Sequence, residues 1–419
     1  MDLEDFISNL SKYLIGDTPN NSNIIRKHTR NLDVLGDISF PLNLKNWHNL
    51  LDSSKVVKEG TIFDNLNHNK SWNNQLEDLK KASEEWRLHI FKFKKIKNDL
   101  HIFLLKHKVF AHTLPQVFNC GDSYGSSAII KRNINVIVDA DVHKTNETKD
   151  LTQLRITILH NTLNNLVKYC EDKNTDGECS VYLSSKHVAN PNCIICGPIL
   201  NKDNMKDTET TAEDIFRERR IDMMDSAQHR FHVPVTNTPY WQVFFQKLGK
   251  GAVTIELLSV KPNKATKLLL KDSRTANKGP AFIFYNCARL SVLFKEFDKH
   301  VKEKNTYPEL PSVDQIDFKL LNQPEEWELL YVYILQFPLI VQSCVKDLEK
   351  GIYNPQNLVQ FLSNLSSVFS IYYRRVRILI KPRDHLYSQI HARIYLLKAL
   401  EVVYHNSLRL LNIEPIKHM

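Results

Sequence analysis

The chain has 419 residues, 42% of them hydrophobic and 25% charged, with a formal net charge of +9. That balance suits a globular protein of two or three domains, and the excess of Lys and Arg favours a polyanionic partner such as nucleic acid or an acidic protein. No run of eighteen apolar residues occurs and the start, MDLEDFISNL, is acidic, so neither a membrane span nor a secretory signal is expected.

Residues 1–15 read as a short helix and 19–23 (PNNSN) as a turn-prone break. The charged stretch 75–93 reads as an amphipathic helix, and 100–113 as a strand passing into a helix. The apolar run 135–139 suits a buried strand, 154–169 a helix, and 180–183 and 193–196 two further strands. This order predicts an α/β layer. A polar loop over 201–212 and a charged helix over 213–230 follow. Pro234 and Pro239 then punctuate the chain. From 241 onward it reads as helical at 241–260, 280–304, 324–348, 355–377 and 386–411, which predicts a helical bundle. The expected fold class is α+β overall: a reduced α/β region over 1–230, then an all-α region over 241–419.

The seven cysteines are odd in number and widely spaced, as expected of reduced thiols in the cytoplasm, or else the nucleus. Cys193 and Cys196 form a lone Cys-x-x-Cys without a second pair, so they read as small core residues. The histidines show no metal-binding spacing, and no metal site is implied. With eleven glycines and no phosphate-cradling loop, no nucleotide cofactor is expected. Residues 121–125 (GDSYG) match the letters of a nucleophile elbow, but their flanks do not suggest strand–turn–helix, so they read as a loop.

Two basic–aromatic features remain. GPAFIFYNCARL (279–290) opens a helix with Pro280 at its first position, and Ile283, Cys287, Leu290 and Phe294 share one face. Tyr285 and Arg289 stand four residues apart, off that face. IYYRRVR (371–377) leads to Lys381, Arg383, His385, His391, Arg393 and Lys398, and the only acid between 371 and 400 is Asp384. Basic side chains neutralise phosphates, while tyrosines stack on unpaired bases.

The stretches FIFYNCARL (282–290), FSIYYRRV (369–376) and HARIYLLKALEVVYHNSLRLLNIEPIKHM (391–419) resemble, in order, the DALR anticodon-binding domain of arginyl-tRNA synthetases. Residues 135–167 resemble the first catalytic segment of that family more faintly. Leu154 and Arg155 match, but the histidine signature reads Asp150-Leu151-Thr152-Gln153, and the second, lysine-rich signature reads Asn204-Met205-Lys206-Asp207-Thr208-Glu209. The stretch between Gln153 and Cys193 is also too short for an intact catalytic core.

The resemblance implies a catalytically degenerate synthetase-like protein, without catalytic residues. It would bind arginine tRNA and serve an S-adenosylmethionine-dependent, methyltransferase-like enzyme that makes 3-methylcytidine in the anticodon loop. It implies that Tyr285, Arg289, Tyr373 and Met419 line the pocket for anticodon bases. Arg374, Arg375, Arg377, Lys381 and Arg383 would hold phosphates. Region 1–230 is the expected docking surface for the enzyme. The competing expectations are an active synthetase-like enzyme and an interaction scaffold that does not bind RNA.

Overall fold

A computed structural model describes residues 2–17, 24–51, 60–64, 66, 70–138, 150–172, 177–186, 192–230, 238–268, 279–303, 306–381 and 383–417. The stretches 19–23, 139–149 and 232–237, and Met419, lie outside the described residues. The chain forms two compact units. One gathers Met1–Asn119, Leu310–Gln336 and Lys381–Leu396, and the other Cys120–Glu309, Phe337–Ile380 and Leu397–Met419. The units are assembled from separated stretches, whereas the sequence regions 1–230 and 241–419 are contiguous.

The first unit opens with α1 (Asp2–Ile15), which buries Leu3, Phe6, Leu10 and Leu14 along one face. There follow β1 (Arg26–Lys27), the short α2 (Leu32–Leu35), β2 (Ile38–Pro41), α3 (Trp72–Ala82), β3 (Ile90–Ile96), β4 (Asp99–Leu104) and α4 (Lys106–Cys120). The four strands make an antiparallel sheet in the order β1-β2-β4-β3. The helix expected over 75–93 therefore stops at Ala82, and IFKFKKI is a strand. Ser83 marks the change: its Oγ donates to the Lys80 carbonyl (2.6 Å) and accepts from the Ile90 N–H (3.0 Å). β3 then pairs with the apolar strand β4 through a tight turn at Lys97, whose φ is 55°. Lys92, Lys94 and Lys95 stand on β3, an edge strand of the sheet, and keep that edge soluble.

Asp37, just before β2, ties this sheet to the later part of the unit. Its carboxylate accepts from the Leu104 N–H (2.7 Å) and from Trp327 Nε1 (2.8 Å), while Tyr331 donates to its carbonyl (2.7 Å). Burial pushes the carboxyl up to about 7, against the opposing pull of those hydrogen bonds and of Lys106.

In the second unit β5 (Asn133–Val138), α5 (Leu151–Cys170), β6 (Glu178–Ser184) and β7 (Cys193–Ile195) form a three-stranded parallel sheet, order β5-β6-β7, with α5 as the crossover from β5 to β6. β8 (Ile199–Leu200) pairs with the later β9 (Thr266–Lys267). α6 (Ala212–Asp225) continues into a π-helical turn, Ser226–Arg230, and packs on α7 (Pro239–Leu258). Gly249 permits that approach, because a Cβ there would stand 2.8 Å from the Arg220 backbone nitrogen.

α7 is the first helix of the predicted bundle, and α8 (Pro280–Lys302) is the second. α9 (Pro324–Glu328) belongs to the first unit and runs through the π-helical stretch Leu329–Ile334 towards α10 (Phe337–Val345). α11 (Gln356–Arg375) and α12 (Asp384–Leu410) complete the helices. By length and composition the run Pro324–Lys350 could cross a membrane, but 72% of its most apolar window is buried within the fold.

Candidate nucleic-acid interface

α8 forms where Pro280 follows Gly279, and it turns Ile283, Cys287 and Leu290 inward, each at most 1% exposed. Phe294 is only half-buried, and Leu293 and Phe297 carry the core contact in its place. Tyr285 and Arg289 stand off this face, both half-buried.

The Arg289 guanidinium carbon lies 4.4 Å from the Tyr285 ring centroid and 4.6 Å from that of Tyr373 on α11. Both distances fall within cation–π range. Arg289 Nη1 also reaches Asn286 Oδ1 (3.5 Å), and the Asn286 amide is itself fixed on the Phe282 carbonyl (2.8 Å). Tyr373 meets the buried Phe369 edge to face at 5.8 Å. Burial raises the Tyr373 phenol above its ordinary value, and the Arg289 charge opposes the rise. Arg289 therefore brings together three of the four residues expected to line the pocket, and the fourth, Met419, lies outside the described residues.

Arg374 and Arg375 are exposed in the last turn of α11, where the helix dipole favours cations, and Arg377 is exposed just beyond. Lys381 and Arg383 are exposed as well but belong to the other unit.

A further contact of α8 was missed by sequence reasoning. Ser291 donates to Glu401 Oε1 (2.7 Å), joining α8 to α12. Burial raises the Glu401 carboxyl, while Ser291, Lys398 and Lys417 oppose the rise. Nothing in the periodicity marks Glu401, because it sits among the apolar positions of α12. After α12 the chain is held by Lys247–Glu414 (2.7 Å) and by the Cys287 thiol donating to the Ile416 carbonyl (3.5 Å).

The two stretches likened to synthetase signatures meet in space. Asp150 caps α5 by accepting from the Thr152 N–H (2.9 Å), and its other oxygen pairs with Lys206 Nζ (2.6 Å). The N-terminus of α5, a natural anion site, is thus occupied by a carboxylate of the chain itself. Arg155 is fully buried and donates to the carbonyls of Gly197 (2.8 Å), Lys264 (2.7 Å) and Lys261 (3.1 Å). It serves the packing of this unit.

The GDSYG stretch follows the helix α4 and forms a 3-10 turn, and Ser123 Oγ donates to the Cys120 carbonyl (2.7 Å). That is not the strand–turn–helix setting of a nucleophile. Cys196 is buried, and its thiol is pushed up to about 11 by that burial. Cys193 is partly exposed.

The family comparison matches the helical end of the chain. Residues 283–419 match the family described as the DALR anticodon binding domain. The aromatic–guanidinium cluster and the α11 arginines lie inside the matched residues. A Mus musculus protein named DALR anticodon-binding domain-containing protein 3 is 34% identical over 233 residues, 54% of this chain and 43% of that protein. The match thus spans less than half the length of that curated relative. Arginine–tRNA ligase of Borreliella burgdorferi is 31% identical over 168 residues, 40% of this chain and 26% of the ligase. Among solved structures, Thermus thermophilus arginyl-tRNA synthetase matches with a TM-score of 0.57 at 11% identity, covering 100% of this chain and 99% of that one. The fold is synthetase-like α+β, with the DALR domain at its C-terminal end.

Proposed function

We propose that this protein is a non-catalytic tRNA-binding cofactor. It recognises arginine tRNAs through its DALR domain and presents the anticodon loop to an S-adenosylmethionine-dependent methyltransferase that makes 3-methylcytidine. The observation that carries the reading is the Tyr285–Arg289–Tyr373 cluster inside the matched domain. Splayed bases need aromatic faces and a fixed donor fork, and this cluster supplies both. The exposed arginines at the end of α11 offer phosphate contacts, which position the RNA while base contacts select it.

The Asp150–Lys206 pair supports the absence of chemistry. A synthetase stabilises the developing charge of ATP phosphates with donors, whereas Asp150 places a fixed negative charge at a helix N-terminus. No cofactor is assigned to the protein itself. Its place of action is the cytoplasm or nucleus, wherever the methyltransferase meets tRNA.

Sequencing the tRNA that co-purifies with the protein tests the reading. Enrichment of arginine tRNAs is expected, and a random tRNA population overturns it. ATP–pyrophosphate exchange with arginine should stay at background. Clear exchange would show an active synthetase instead.

A further inference from the structure

Arg289 fills the slot that the proposed function assigns to a nucleobase. Its guanidinium carbon lies over both rings, 4.4 Å from one tyrosine centroid and 4.6 Å from the other, so a face of each ring already carries a group of the chain. A base stacks on a tyrosine through the same ring face. One face cannot carry both. The arrangement is also braced. Arg289 Nη1 donates to Asn286 Oδ1 (3.5 Å), and Phe369 packs edge to face on Tyr373.

We propose that Arg289 is a gate on the anticodon pocket. In this conformation it closes the slot between Tyr285 and Tyr373. An entering base displaces it, and the freed donor fork then turns to the RNA. The gate has a consequence for selectivity. Leaving the rings costs Arg289 two cation–π contacts, and only a ligand with an exposed π-face restores the stacking. An unpaired base does so. A polyanion without bases does not, so charge alone cannot open the slot.

The inference rests on the anticodon reading of the same site, and the experiment separates the two. A synthetic anticodon stem-loop of arginine tRNA is mixed rapidly with wild type, Arg289→Lys, Tyr285→Ala and Tyr373→Ala. Lysine keeps the charge, and hence the electrostatic steering, but has no planar face to sandwich. The association rate constant should rise roughly threefold to tenfold in Arg289→Lys, with faster dissociation as the donor fork is lost. Heparin, a polyanion without bases, should bind wild type and Arg289→Lys equally. An unchanged or slower association in Arg289→Lys overturns the gate. If both tyrosine variants bind the stem-loop as wild type does, the anticodon reading falls with it. If they weaken binding while Arg289→Lys associates like wild type, the gate alone falls.

Discussion

Asp37 keeps a carboxylate out of water in the first unit, and its effect on stability has a definite sign. Its folded pKa of about 7 lies above the ordinary carboxylate value. Between roughly pH 4 and 7 the folded chain therefore holds a proton that the unfolded chain has released. Stability from this group is full below that window and is lost as pH rises through it, by about 4 kcal/mol at most. Urea unfolding at pH 5 and pH 8 should show wild type losing more stability than Asp37→Asn over that step. Equal losses would remove Asp37 as the cause. Within the DALR-like region, Tyr373→Ala should weaken anticodon stem-loop binding by about 1–3 kcal/mol, the usual value of one base stacked on an aromatic ring. Titration of the labelled stem-loop measures it. The i,i+4 spacing made the Tyr285–Arg289 pair legible in the sequence, whereas Tyr373 entered through the family resemblance. Asp37 was illegible, because a lone acid before an apolar strand carries no sign that Trp327 will reach it from far along the chain.

At the scale of elements, the Gly121–Ser123 turn and the residues after it show why letters alone mislead. Gly125 has a φ of 104°, and a Cβ on it would collide with the Phe337 ring. Gly125→Ala should cost about 1–3 kcal/mol of stability while leaving RNA contacts intact, as read by thermal unfolding and stem-loop binding together. The motif's second glycine is there for packing. Removing the α5 cap with Asp150→Ala should cost about 1 kcal/mol in the same assay and still give no pyrophosphate exchange. The helical bundle and the β5-α5-β6 crossover were legible because long periodic runs fix their own secondary structure. β3 was not, because Lys92, Lys94 and Lys95 also fit a charged helix, and only its pairing with β4 decides between them. The Asp150–Lys206 bridge was equally hidden: each half was visible in its own stretch, but their meeting is tertiary.

At the scale of the whole molecule, the charge of +9 and the arginines at the end of α11 predict strongly salt-dependent binding. A log–log plot of tRNA affinity against salt should fall by roughly 0.7 to 0.9 per phosphate contact. Charge reversal at Arg374 and Arg377 should flatten it, and an unchanged slope would place the phosphate contacts elsewhere. The path of the chain limits how the proposed methyltransferase dock can be tested. α12 is one continuous helix, yet its residues through Leu396 belong to one unit and those from Leu397 to the other. No single cut in the gene releases either unit intact. Removing region 1–230 would strip the sheet from one and the β5-α5-β6 layer from the other. Loss of a partner from such a fragment would report misfolding as readily as a missing contact. Testing for such a dock therefore calls for surface point substitutions in the intact 419-residue chain.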